Sequence, residues 1–85
     1  MRLNKTHNFF FFYKKLPEKV QQQFKIRLEL WLVNPEHPTL RTHLLKGNLK
    51  GHWSINITGD YRAVYYFTND EEVVFTLIGT HSQLY

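Results

Sequence analysis

Between Trp53 and Thr58 apolar and polar residues alternate without a break, with Trp53, Ile55 and Ile57 set against Ser54, Asn56 and Thr58. Only an extended strand has a side-chain period of two, so this segment must turn one face to a core and the other to water. Gly59-Asp60 then reads as a turn. Two further β-branched and aromatic runs follow, Arg62–Phe67 and Val73–Ile78, separated by the polar turn Thr68–Glu72. His43–Lys46 is short and strand-compatible, and Gly47 and Gly51 punctuate the turns around Asn48–Lys50. The second half of the chain is therefore expected to be a meander of about four strands.

The length of the Gly59 turn decides where Arg62 points. A two-residue loop pairs Thr58 with Tyr61 and sends Arg62 to the Ile55/Ile57 face. A three-residue loop pairs Thr58 with Arg62 and puts the guanidinium beside Ser54 and Asn56. A lone Arg is costly to bury, so the longer loop is expected.

The first half has a different period. Asn8 suits an N-cap, and Phe9, Phe12, Tyr13 and Leu16 recur at helical spacing. Pro17 fits the first position of a second helix, with Glu18 in its first turn. Along that helix Val20, Phe24, Leu28, Trp31 and Leu32 form one stripe and Ile26, Leu30 and Val33 another, until Asn34-Pro35 ends it. A helix apolar on two faces asks to be covered on both. Residues 1–5 read as a short strand of poor pattern. The plan is α+β, a helical hairpin on one face of a sheet, in a single domain over residues 1–85.

Composition narrows the class. The 85 residues contain no cysteine, which removes disulfides, thiolate metal sites and a Cys nucleophile. Neither a membrane span nor a signal-peptide pattern is read in the chain, and cytoplasmic residence is expected. Residues 1–52 hold ten Lys/Arg against three Asp/Glu, a balance of +7, while residues 53–85 carry one Arg against four acids, a balance of −3. Basic charge gathered on part of a small fold is the footprint of a polyanion, nucleic acid first among them; a solvated helical surface is the plainer account.

No helical zinc spacing, P-loop or Gly-x-Ser-x-Gly elbow occurs, so no cofactor or metal is expected. What remains is a scattered set. His43, Lys46, Lys50 and His52 lie in or beside the Gly-flanked segment, Asn56, Asp60 and Arg62 on the central hairpin, and His81 and Tyr85 at the end of the sequence. If the polar sheet face collects them, imidazole, carboxylate, guanidinium and phenol meet. That set suits RNA cleavage, in which a 2′-OH loses a proton, a phosphorane needs positive charge and a 5′-oxygen gains a proton. The bland account is ordinary surface residues.

Several segments in order carry a resemblance: Asn34-Pro35, Leu40-Arg41-Thr42-His43, Leu45 through Gly51, Trp53-Ser54-Ile55, Thr58-Gly59-Asp60-Tyr61-Arg62 and Ile78 through Tyr85. Together they resemble the RelE/StbE toxins of type II toxin–antitoxin systems, and within them the YafQ-like branch, from about Phe9 onward. The resemblance implies helices packed on a curved antiparallel sheet, as in small microbial RNases. It implies a metal-independent endoribonuclease, an mRNA interferase that enters the ribosomal A site, contacts rRNA and cuts the message. Its implied partners are a cognate antitoxin and, as a toxin–antitoxin hetero-oligomer, operator DNA.

By position, His43, Asp60, His81 and Tyr85 fall where YafQ-like toxins hold catalytic residues, and Arg62 matches the phosphate-stabilising Arg of the wider group. Arg41, Lys46, Lys50 and Asn56 are the candidates for substrate binding. Asn56 departs from the branch, which has a histidine there; an amide holds a 2′-OH or phosphate but exchanges no proton near neutral pH. The alternatives are a ParE-like gyrase inhibitor without RNase activity and a catalytically weakened toxin that keeps antitoxin binding. The run Phe9–Phe12 departs too. No helix face buries four consecutive side chains, so at least one, Phe11, is expected to face outward beside the Ile26/Leu30/Val33 stripe and contribute to a partner patch.

Overall fold

Five strands make the sheet, one more than expected: β1 (Arg2–Lys5), β2 (His43–Leu44), β3 (Trp53–Asn56), β4 (Tyr61–Asn69) and β5 (Glu72–Thr80), in the order β1-β5-β4-β3-β2. The computed structural model describes residues 2–69 and 71–85. Met1 and Asp70, which fall within the expected strand 1–5 and turn Thr68–Glu72, lie outside the described residues. β2 through β5 form the antiparallel meander, whereas β1 lies parallel to β5, pairing Arg2 with Glu72 through Lys5 with Phe75. The sheet is thus mixed rather than purely antiparallel. β1 has little apolar pattern because it is a short edge strand held by its backbone, with the Arg2 amide donating to the Glu71 carbonyl at 2.6 Å and Thr6 to Phe75 at 3.0 Å.

Two helices follow β1: α1 (His7–Lys14) and α2 (Glu18–Val33). The cap of α1 is Thr6 rather than Asn8, its hydroxyl accepting from the Phe9 amide at 3.1 Å. Pro17 caps α2 from just outside it. The hairpin between them is tied by Gln21, whose side-chain amide donates to the carbonyls of Tyr13 and Leu16, each at 3.1 Å.

Neither stripe of α2 is covered along its whole length: Leu32 of the first stripe is exposed, and of the second only Leu30 packs partly against the core. Val20, Phe24 and Trp31 are buried, while Ile26, Leu32 and Val33 are exposed. The expected cover for the second stripe does not form, because α1 and the sheet meet the same side of α2. Phe9 is buried whereas Phe10, Phe11 and Phe12 are all exposed; the outward turn expected of Phe11 extends to three of the four rings. Lys15 lies 4.1 Å over the Phe11 ring and Lys5 5.7 Å over Phe10, contacts worth about 0.5–1 kcal/mol at exposed sites.

Between helices and sheet, Phe9, Phe24, Trp31, Tyr65 and Phe75 interlock with Ile55, Ile57, Val73 and Ile78. A polar pair in this layer is satisfied, the Trp31 indole donating to the Tyr65 hydroxyl at 3.1 Å. Burial raises the Tyr65 phenol above its ordinary value, and the Trp31 donor opposes part of that rise. No described helix is long and apolar enough to cross a membrane.

Candidate functional site

The sheet's second face carries no helix of the hairpin, and it collects the polar residues. β3 and β4 pair Asn56 with Arg62 and Ile55 with Ala63, and the Ile57 amide donates to the Tyr61 carbonyl at 2.9 Å. Three residues, Thr58–Asp60, therefore make the turn. Arg62 lies on the Ser54/Asn56 face as expected, but its partner is Asn56 rather than Thr58. Directly opposed residues share a face, so β2 adds His43 opposite Ser54, and β5 adds Gly79 opposite Arg62.

At Gly79 a Cβ would stand 2.8 Å from the side-chain oxygen Oε1 of Gln83, so a larger residue would have to displace that side chain. That oxygen accepts from the Thr80 amide at 2.8 Å, while the Thr80 hydroxyl accepts from the Gln83 amide at 3.3 Å. This reciprocal cap starts a one-turn helix, α3 (His81–Leu84), which carries the end of the sequence over the open face. The Thr80-x-x-Gln83 spacing was a readable signal for α3. Tyr85 then crosses the sheet and donates its hydroxyl to Ser54 Oγ at 3.1 Å, with its ring 4.8 Å edge-on from His81. Ser54, polar yet fully buried, is explained by that lid.

The result is an open cleft of about 490 Å³ lined by Arg41, His43, Leu45, Lys46, Asn56, Arg62, His81 and Tyr85. Seven of the nine candidate residues meet there. The two others stand apart. Asp60 is at the tip of the β3–β4 turn, where its backbone carbonyl, not its carboxylate, accepts from the His81 amide at 3.1 Å. Lys50 is exposed on the loop after the 3₁₀ turn Gly47–Leu49. His52 also lies outside, edge-on to Tyr66 at 5.3 Å. Leu45, the apolar floor residue that sequence reasoning left out, was hidden in a segment read only as strand-compatible.

Main-chain carbonyls orient two of the cleft's side chains. Arg62 Nη1 donates to Gly59 and Tyr61, both at 3.2 Å, and to Thr58 at 3.5 Å. One end of the guanidinium thus binds the turn, leaving its other nitrogens for the cleft. His43 Nδ1 lies 2.9 Å from the Arg41 carbonyl. A carbonyl only accepts, so Nδ1 carries the proton, and in the neutral ring Nε2 keeps its lone pair. Arg41 reaches this position in the left-handed region, at φ 47°, an uncommon conformation for a non-glycine residue.

The cleft can take a proton at His43, hold negative charge at Arg62, Arg41 and Lys46, and give a proton from His81. Among the described residues no group of three or more His, Cys, Asp or Glu side chains comes together to hold a metal ion.

Residues 2–85 match the profile of the family described as the bacterial toxin of type II toxin-antitoxin system, YafQ. Among solved structures, YafQ from E. coli strain BL21(DE3) superposes with a TM-score of 0.83 at 20% identity, covering 100% of this chain and 99% of that one. The E. coli DinJ-YafQ toxin-antitoxin complex gives 0.79 at 20% identity over 98% and 94%. A YoeB/ParE toxin from Agrobacterium tumefaciens gives 0.77 at 20% identity over 95% and 99%. No curated protein sequence matches the chain.

Proposed function

Because this chain belongs to the YafQ family of bacterial type II toxin–antitoxin toxins, we propose that it is an mRNA endonuclease acting on the ribosome in the cytoplasm, held inactive by a cognate antitoxin. The observation that carries this reading is one cleft joining two imidazoles, two guanidiniums and a phenol.

His43 Nε2 accepts the 2′-OH proton as the 2′-oxygen attacks the adjacent phosphorus. Arg62, aided by Arg41 and Lys46, balances the charge of the phosphorane. His81 gives a proton to the departing 5′-oxygen, and the products are a 2′,3′-cyclic phosphate and a 5′-OH. Tyr85 packs His81 in place. Asn56, beside Arg62, holds the substrate by hydrogen bonds. Asp60 acts through its main chain, fixing the start of α3.

The antitoxin reading has support from the DinJ-YafQ complex, a neighbour in fold, and from the exposed Phe10–Phe12, which offer an apolar patch. The test is induced expression followed by mapping of mRNA 5′ ends. New 5′ ends inside translated messages, absent when an antitoxin is co-expressed, are expected. Growth arrest with a DNA-damage response and intact mRNA would instead mark a gyrase inhibitor. Absence of any arrest would mark a toxin that has lost activity.

A further inference from the structure

A second groove of about 480 Å³ adjoins the cleft and shares Arg41, Asn56 and Arg62 with it. Its far side is made by Arg27 of α2, with the hydroxyl residues Thr39 and Thr58. Arg27 was not among the candidate residues, because it sits in α2, on the helical side of the sheet. The 3₁₀ turn Pro38–Leu40 brings the groove to it. Arg27 Nη1 donates to the Thr39 carbonyl at 3.2 Å, which fixes the guanidinium by one corner, and its other nitrogens make no further hydrogen bond among the described residues.

The two grooves differ in what they offer. The first holds the histidines and Tyr85; the second holds no imidazole and no aromatic ring. It can bind but lacks proton-transfer chemistry. Arg and Thr on a concave wall are the groups that contact phosphate and sugar oxygens, without reading base identity.

We propose that the Arg27 groove is a flanking subsite, which holds the phosphodiester next to the cleaved one on the same RNA strand. Arg41, Asn56 and Arg62 form the shared wall between the two positions. The inference rests on the RNA-cleaving reading of the first cleft and extends it by one linkage. An RNA strand is favoured over an acidic protein segment because the groove is continuous with the cleft through those shared residues.

The experiment measures the affinity of the folded toxin for fluorescein-labelled 2′-O-methyl oligoribonucleotides, which cannot be cleaved. A dinucleotide and a tetranucleotide are compared at several salt concentrations. The parent should bind the tetranucleotide about tenfold more tightly, the value of one charge-assisted contact of ~1.4 kcal/mol. In Arg27→Gln that ratio should fall toward one. The tetranucleotide's log–log salt slope should drop by about 0.7, the increment for one phosphate of a single strand. Arg27→Lys should recover part of the ratio.

Thr58→Glu, which places a negative charge in the groove without touching Arg27, should also abolish the gain, so a folding defect of one variant leaves the other as the test. A ratio unchanged in folded Arg27→Gln overturns the subsite while leaving the cleavage reading intact. A ratio unchanged while binding of a poly-glutamate peptide weakens assigns the groove to an acidic protein segment instead. A parent that binds neither oligonucleotide overturns the subsite, while the cleavage reading is decided separately by the mapping of mRNA 5′ ends.

Discussion

β3 and β4 carry the core on one face and the cleft on the other, and the two faces are held by different means. On the core face, side chains hold one another. The Tyr65 ring lies 5.0 Å from Phe75 and 5.2 Å from Trp31, and Phe9 lies 5.5 Å from Phe24. On the cleft face, apart from Tyr85 on Ser54 and His81, main-chain carbonyls hold the residues in place. The Thr58, Gly59 and Tyr61 carbonyls take Arg62, the Arg41 carbonyl takes His43, and the Asp60 carbonyl takes the amide of His81. A core made of mutual contacts loses stability when one member is cut back. A site made of exposed polar groups on a fixed backbone loses rate, while the fold stands.

The largest expected effect is on the core. Phe75 touches Phe9, Phe24, Trp31 and Tyr65, so Phe75→Ala should cost about 3–5 kcal/mol in denaturant unfolding. In a domain of this size that is much of the total stability. A loss below ~1 kcal/mol would mean that the aromatic layer is not the main support of the sheet.

Arg62 belongs to both systems, since it ties the turn and faces the cleft. Arg62→Lys keeps the charge but not the planar fork. Single-turnover cleavage should fall about tenfold, the value of one charged hydrogen bond of ~1.5 kcal/mol, with a small change in melting temperature. If melting falls and the rate of the folded fraction holds, Arg62 belongs to the turn alone.

Asn56→His tests the departure from the branch directly. A new imidazole opposite Arg62 should raise cleavage and add an ionisation near ~6.5 to the pH profile, the ordinary imidazole value. Lower activity in both Asn56→His and Asn56→Ala would show that the amide holds substrate. Parental activity in both would remove position 56 from the site.

The smallest effect lies back in the core. Burial raises the phenols of Tyr65 and Tyr13 above their ordinary 10.0. The unfolded chain therefore ionises first as pH climbs past 10.0. The phenols' contribution is intact below that pH and is lost as pH rises through their raised pKa. Urea midpoints measured across that window should decline, and a flat profile would argue against buried phenols.

What could be read from the sequence follows the same division. The alternation Trp53–Thr58 has a period that only a strand satisfies, so it placed Ile55 and Ile57 in the core and Asn56 and Arg62 opposite them. The partner of Arg62 was misread by one pair because the turn begins at Thr58, and Gly59-Asp60 says only that a turn is near. Asn34-Pro35 ended α2 where the structure ends it. The pairing of β1 with β5 joins residues some seventy positions apart mainly through backbone groups, and one apolar side chain on the core, Leu3, is too little pattern to mark a strand.

Side-chain chemistry together with the family resemblance brought forward His43, Arg62, His81 and Tyr85, which the cleft gathers, but also Lys50, His52 and Asp60, which it does not. The site was illegible where backbone does the work. Nothing in the letters Asp60 or Arg41 announces that a carbonyl, rather than a carboxylate or guanidinium, orients a histidine. Arg27 was missed because its groove is assembled from α2, a 3₁₀ turn and the β3–β4 loop.

The central claim, that the sheet face away from the α1–α2 hairpin performs the chemistry and the other face only supports it, is tested most directly by His81→Ala. His81 is exposed, and its ring packs on Tyr85 alone among the described aromatic rings. Cleavage of mRNA on programmed ribosomes and thermal melting should be measured on the same preparation. A rate loss on the order of 10²-fold or more, with a melting temperature close to the parent's, is the predicted result. An unchanged cleavage rate, or a loss of activity that only tracks unfolding, would contradict it.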